Sequence, residues 1–215
     1  MTTSGTTAFR YEIMDLPEET IERRDTVLRK EAIQIILKED IAKLTRDERE
    51  GMLWNAWGID EQDPEFHVLS KSLQQELLNS DEPTNDVMDS RYDELLIINA
   101  EGSFYGHPNE YLAKRVSKIV GGNIKVEGHV EKLLPCPCCT YETLAERGEY
   151  DICSVCFWED DGNDDPIRYS GPNHMTLSEG RKNFEKYGAC SEQETTFVAP
   201  DRFEIYSKAD NDSRE

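Results

Sequence analysis

Positive charge is scarce in this 215-residue chain: 24 lysines and arginines stand against 45 aspartates and glutamates, a formal net charge of −21. Such a field repels nucleic-acid phosphates and anionic membrane surfaces and favours cationic partners. Long apolar runs are also missing. No stretch approaches the roughly 20 apolar residues that cross a bilayer, and residues 1–10 are threonine-rich without the apolar centre of a secretion signal. The expectation is a soluble, cytoplasmic protein that binds neither membrane nor nucleic acid. Histidine is rare, with only His67, His107, His129 and His174. The sequence contains no Gly-x-Ser-x-Gly elbow, phosphate-loop signature or His-Glu-x-x-His helix, so nothing marks an enzyme. His174 lies in a loop near the cysteines and reads as a loop hydrogen-bonding residue; His67 reads as a surface or rim residue, and His107 and His129 lie in turn-like contexts beside Pro108 and Gly128.

Cysteine is absent before residue 136, and all six cysteines fall between residues 136 and 190. Cys136-Pro137-Cys138-Cys139 supplies one Cys-x-x-Cys pair and Cys153-Ser154-Val155-Cys156 a second, with thirteen residues between. Each such turn aims two thiolates at one point, and two turns facing across a hairpin make the tetrahedral sulfur shell that Zn²⁺ prefers. A disulfide framework would need an oxidising compartment, and a redox dithiol would need only one pair. One structural Zn²⁺ on Cys136, Cys139, Cys153 and Cys156 is therefore expected. Spacing favours Cys139 over Cys138 as the second ligand, with an exchange of the two left open. Cys190 has no partner at metal spacing and reads as a half-buried thiol.

The surrounding residues carry a resemblance. Leu134-Pro135-Cys136-Pro137-Cys138-Cys139, then Glu149-Tyr150-Asp151-Ile152-Cys153-Ser154-Val155-Cys156-Phe157-Trp158-Glu159-Asp160-Asp161-Gly162, resemble the bacterial cysteine-rich CPCC family. Tyr169-Ser170-Gly171-Pro172-Asn173-His174-Met175-Thr176-Leu177 and Arg181-Lys182-Asn183-Phe184 continue the likeness, and Asn109-Glu110-Tyr111-Leu112 resembles a segment of longer members. Ser154 stands where the family usually has proline, and Gly180 where it has alanine. The resemblance implies a zinc-ribbon-like module, often in proteins encoded near polymorphic toxins. It implies no reaction.

The fold expected is α+β: a helical N-terminal region, a small α/β unit and a C-terminal zinc-ribbon-like module. The boundaries are a flexible tail over 1–14, helices over 15–80, the small unit over 91–134, the ribbon over 135–206 and a flexible tail over 207–215. Asp15 and Pro17 make a helix start. Ile21, Leu28, Ala32 and Ile35 then recur at helical spacing, with Ile33, Leu37, Ile41 and Leu44 on a neighbouring stripe. Thr45 with Glu48, and Thr176 with Glu179, have capping-box spacing. Asp63-Pro64 opens a helix carrying Phe66, Leu69, Leu73 and Leu77. Trp54 and Trp57 are expected in the core. Residues 79–90 read as a linker or surface loop. Residues 92–100, with Leu95-Leu96-Ile97-Ile98, read as a buried strand, followed by a helix over 108–120 and a strand through Ile124, Val126 and Val130. A turn at Glu146-Arg147-Gly148 should separate two short strands.

The acidic run beyond the second cysteine pair does not fit a calcium loop, because Gly162 would put Phe157 at the first ligand position. Instead, Phe157, Trp158, Glu159, Asp160, Asp161, Asp164 and Asp165 are expected to form a partner-binding surface, although Trp158 could equally pack beneath the ribbon. Residues 140–170 hold nine acids and two arginines. The expected function is an immunity protein, or antitoxin, whose partner is a cognate toxin with a basic surface, occluded by binding and without catalysis. The alternatives are a zinc-ribbon adaptor and an unrecognised hydrolase that reverses a toxin's modification.

Overall fold

The computed structural model describes residues 25–209. The helix start at Asp15, Ile21 and the 1–14 tail lie outside the described residues, as do residues 210–215. The fold is α+β, as expected, and its contacts divide the chain in two. One unit takes the described residues up to Phe104 together with Leu112–Glu127; the other takes Tyr105–Tyr111 and everything described from Gly128 on.

The first unit is a helical layer around a two-stranded ribbon. Strand β1 (Thr26–Leu28) leads into α1 (Arg29–Ala42), so Leu28, expected on a helix, is in extended backbone and exposed. Helix α2 (Arg46–Ala56) starts at the expected capping box: the Thr45 hydroxyl accepts from the Glu48 N–H, and the Glu48 carboxylate accepts from the Thr45 N–H at 2.9 Å. The helix expected from Asp63 divides in two, a 3₁₀ turn over Pro64–Val68 and helix α3 (Lys71–Asn79) capped by Ser70. Phe66, Leu69 and Leu73 are still buried.

Residues 92–100 correct the reading. They form helix α4 (Asp93–Glu101) and not a strand. Asp93 and Glu94 suit the positive end of a helix, and the continuous apolar run serves a helix covered on two sides. Helix α4 packs against both α1 and α2, burying Leu95, Leu96 and Ile97 on adjoining faces. Helix α5 (Asn109–Val120) buries Leu112 and Val116. Strand β2 (Lys125–Glu127) then pairs in parallel with β1, Val126 opposite Val27. The expected strand–helix–strand segment is thus helix–helix–strand, and its one strand pairs with the chain's beginning.

The loop over residues 80–90 is tied down from two sides. Buried Arg49 donates to the Val87 and Asp89 carbonyls at 2.6 and 3.0 Å and pairs with Asp93. Glu76 accepts from the Thr84 N–H and the Tyr92 hydroxyl. Burial works against the Glu76 charge, but these bonds and Arg91 hold its carboxyl below the usual range. Trp57 is buried and donates to the Ser80 carbonyl, whereas Trp54 is 50 % exposed and does not join the core.

The second unit has little regular structure. Hairpin β3 (Leu134–Pro135) with β4 (Glu142–Leu144) carries the first cysteine pair. Hairpin β5 (Tyr169–Ser170) with β6 (Met175–Thr176) leads into α6 (Leu177–Tyr187). Helix α6 starts at the expected Thr176–Glu179 box and stops at Gly188, which is left-handed at φ 77°. A turn lies at Glu146-Arg147-Gly148, but after it only an isolated bridge between Ile152 and Glu159 forms, where a second strand was expected. Residues 207–209 were placed in the tail. They run along the β3–β4 hairpin instead: the Glu142 N–H donates to the Ser207 carbonyl and the Ala209 N–H to the Thr140 carbonyl. Helix α7 (Arg202–Ile205) precedes them.

Candidate metal centre

The two cysteine pairs are built on one backbone plan. In the first, the Thr140 N–H donates to the Cys136 carbonyl at 2.9 Å and the Cys136 N–H to the Tyr141 carbonyl at 2.8 Å. In the second, the Phe157 N–H donates to the Cys153 carbonyl at 2.8 Å and the Cys153 N–H to the Trp158 carbonyl at 2.8 Å. The residue after each second cysteine is left-handed, Thr140 at φ 66° and Phe157 at φ 67°. Left-handed backbone costs a residue bearing a side chain about 1–2 kcal/mol, and strain of that kind gathers at sites the surroundings over-determine.

These turns bring four sulfurs together. The Sγ atoms of Cys136, Cys139, Cys153 and Cys156 lie within 4.8 Å of one another, all buried. Cys136 is 3.7 Å from Cys156, and Cys139 is 3.6 Å from Cys153. A tetrahedral metal with sulfur at about 2.3 Å has an S···S edge of about 3.8 Å, while a disulfide needs about 2.05 Å. The spacing fits a metal ion held by four sulfurs and fits no disulfide. Without an ion the quartet is electrostatically uneasy. Burial pushes the Cys136 and Cys156 thiols far up. Burial also opposes charge on Cys153, but hydrogen bonds from Cys136, Cys139, Cys156 and the Thr143 hydroxyl outweigh it and pull that thiol down. A divalent cation held there would let all four sulfurs ionise.

The remaining two cysteines are core residues. Cys138 and Cys190 pack with Leu144, Val155, Trp158 and Leu177 around the quartet, and burial pushes the Cys190 thiol up to about 12. Four side-chain and backbone ties hold this shell, none of them visible as a motif. Arg181 donates to the Pro137 carbonyl, Arg202 to the Val155 and Gly188 carbonyls, Asn183 to the Cys190 carbonyl, and the Cys190 N–H to the Cys156 carbonyl. They span from 7 to 47 positions of sequence.

Two members of the expected partner surface point inward. Trp158 is 0 % exposed and packs beneath Gly180, so the packing alternative holds for it. Asp160 is also 0 % exposed and accepts from Arg147 Nε at 2.7 Å and the Gly148 N–H at 2.8 Å. Residues 157–160 alternate like a strand, so the side chains of 158 and 160 go in together. Phe157, Glu159 and Asp161 are half-buried, and Asp164 and Asp165 are exposed. Asn173 grips the Glu159 backbone in both directions, and Arg147 reaches on to Asp164 at 2.7 Å. Asn163 braces the loop through Asp165 and Arg168. Arg147 was missed in the sequence; the signal was there, as one of two basic residues among nine acids. His174 is exposed in a left-handed turn and is not part of the sulfur quartet.

Residues 134–204 match the model of a family described as Cysteine-rich CPCC. The match covers a third of the chain and contains all six cysteines. No curated protein and no solved structure matches the chain. Among the described residues, no helix is long and apolar enough to cross a membrane.

Proposed function

We propose that this protein is a cytoplasmic immunity protein whose cysteine-rich unit is a zinc-ribbon-like module holding one structural Zn²⁺, and that it neutralises a basic toxin by covering its active surface. The observation that carries the reading is the closed centre: four buried sulfurs occupy one another's reach and leave no open coordination position for a reactive water. A site of that kind holds a surface rigid and performs no turnover. The Cysteine-rich CPCC match supports it, since the resemblance implies a neighbourhood of polymorphic toxins, and so does the net charge of −21. Zinc suits a redox-inert structural role for four thiolates, although iron accepts the same geometry.

The docking surface is now a smaller one. Phe157, Glu159, Asp161, Asp164 and Asp165 remain on the outside, beside Ile167, which is 80 % exposed. The test is co-production in bacteria with the toxin encoded by the adjacent gene. Growth protection and a stoichiometric complex are expected. The Asp161→Lys/Asp165→Lys variant should associate more slowly and lose salt dependence. Full toxicity in the presence of folded protein overturns the reading.

A further inference from the structure

In the first unit, which has no cysteine, residues at the end of α2 and along α4 border a cleft of about 460 Å³, with Asp63 and Glu65 also in its lining. Apolar Ala56, Ile59, Leu95 and Ile98 line it together with the acids Asp63 and Glu65 and the amides Asn55 and Asn99. Both acids are half-buried. Asp63 accepts one bond, from the Asp60 N–H at 2.9 Å. No lysine, arginine or histidine lines the cleft, and among the described residues no ion pair involves either acid. The cleft thus combines two acids that have no basic partner with apolar side chains.

We infer that this cleft receives the end of a lysine or arginine side chain presented by a partner polypeptide. The methylene stem would lie on Ile59 and Ile98 and the cationic head would meet Asp63 and Glu65, which is how long basic side chains divide between apolar and polar surroundings. The cleft is open on one side. A free small molecule needs most of its surface enclosed for useful affinity, whereas a side chain is positioned by the backbone that carries it. The inference does not depend on the immunity reading or on the metal.

The test is NMR titration of the full-length protein with three probes: the peptide acetyl-Gly-Arg-Gly-amide, the same peptide with citrulline in place of arginine, and butylguanidinium. The arginine peptide should shift the Ile98 methyl and Asn99 side-chain amide signals, and the uncharged citrulline peptide should not. Glu65→Gln, isosteric and half-exposed, should weaken arginine-peptide binding about two- to fivefold, the range of a partly screened ion pair, with the thermal midpoint unchanged. Shifts spread evenly over the acidic surface, or equal shifts with citrulline, overturn the site. Binding of butylguanidinium with none of the arginine peptide overturns the polypeptide as its source.

Discussion

Gly180 sits on α6 where one methyl group decides the packing below. A Cβ there would lie 2.7 Å from Trp158 Cζ3 and 3.0 Å from Cε3, with Cys138 Sγ at 3.4 Å. The indole is fully buried and has no room to swing away. Alanine would gain about 1 kcal/mol in helix propensity, against about 1–3 kcal/mol for overpacking a closed core. Gly180→Ala should therefore lower stability by about 1 kcal/mol in chemical denaturation; an unchanged or raised midpoint would show the ring yields. The departure from the family's alanine was readable in the sequence, but its reason was not, because Trp158 is 22 positions away. The cysteines divide as sharply. Cys156→Ser should abolish bound metal in elemental analysis, while Cys138→Ser and Cys190→Ser should keep it. Loss in Cys138→Ser with retention in Cys139→Ser would reverse the assignment within the first pair.

Among the elements, α2 offers a clean test of a cap because it lies in the unit that has no cysteine. Thr45→Ala removes the hydroxyl that accepts from the Glu48 N–H and should cost about 1 kcal/mol. The cap also titrates. The Thr45 hydroxyl, and then its N–H, hold the Glu48 carboxyl below the usual range. A carboxylate with a lowered folded pKa contributes stability that is present above its unfolded pKa and is lost as pH falls through the folded value. Wild type should lose stability over that acid window and Thr45→Ala should lose less, by hydrogen exchange of α2; equal losses would detach Glu48 from the cap. Both boxes were legible because a cap is four consecutive residues, and so were the cysteine pairs, each complete within its own turn. Helix α4 was misread because Leu95-Leu96-Ile97-Ile98 has no period: a run buried on both sides looks the same in a covered helix and a central strand. Strand β1 was missed because its only partner, β2, lies about a hundred positions on. Asp160 was placed outside, and Trp158 left between surface and core, for a related reason. Their inward alternation is set by the Cys153 knuckle and by Arg147, and composition alone reports only that the stretch is acidic.

Over the whole molecule, the two units spend different chemistry on their cores. The first buries aliphatic side chains from α1, α2, α4 and α5 and contains no cysteine. The second arranges its core around the sulfur quartet, with strands of two or three residues and one helix of eleven residues beside it. So small a core rarely supplies more than about 3–5 kcal/mol by packing, whereas a four-cysteine metal site contributes about 10–16 kcal/mol to the folding of zinc-finger peptides. Metal removal should therefore act on one unit only. Chelation under reducing conditions should erase hydrogen-exchange protection across residues 134–204, leave α1 and α4 protected, and red-shift the emission of Trp158 as its indole meets water. The buried thiols give the reason: four sulfurs whose charges repel cannot all ionise without a cation, and apolar contact with a few hydrogen bonds would then have to hold the two turns face to face. Protection that persists in 134–204 after the metal is gone would mean that Trp158, Leu144, Val155 and Leu177 form a sufficient core by themselves. Loss of protection in α1 and α4 as well would mean that the two units fold as one.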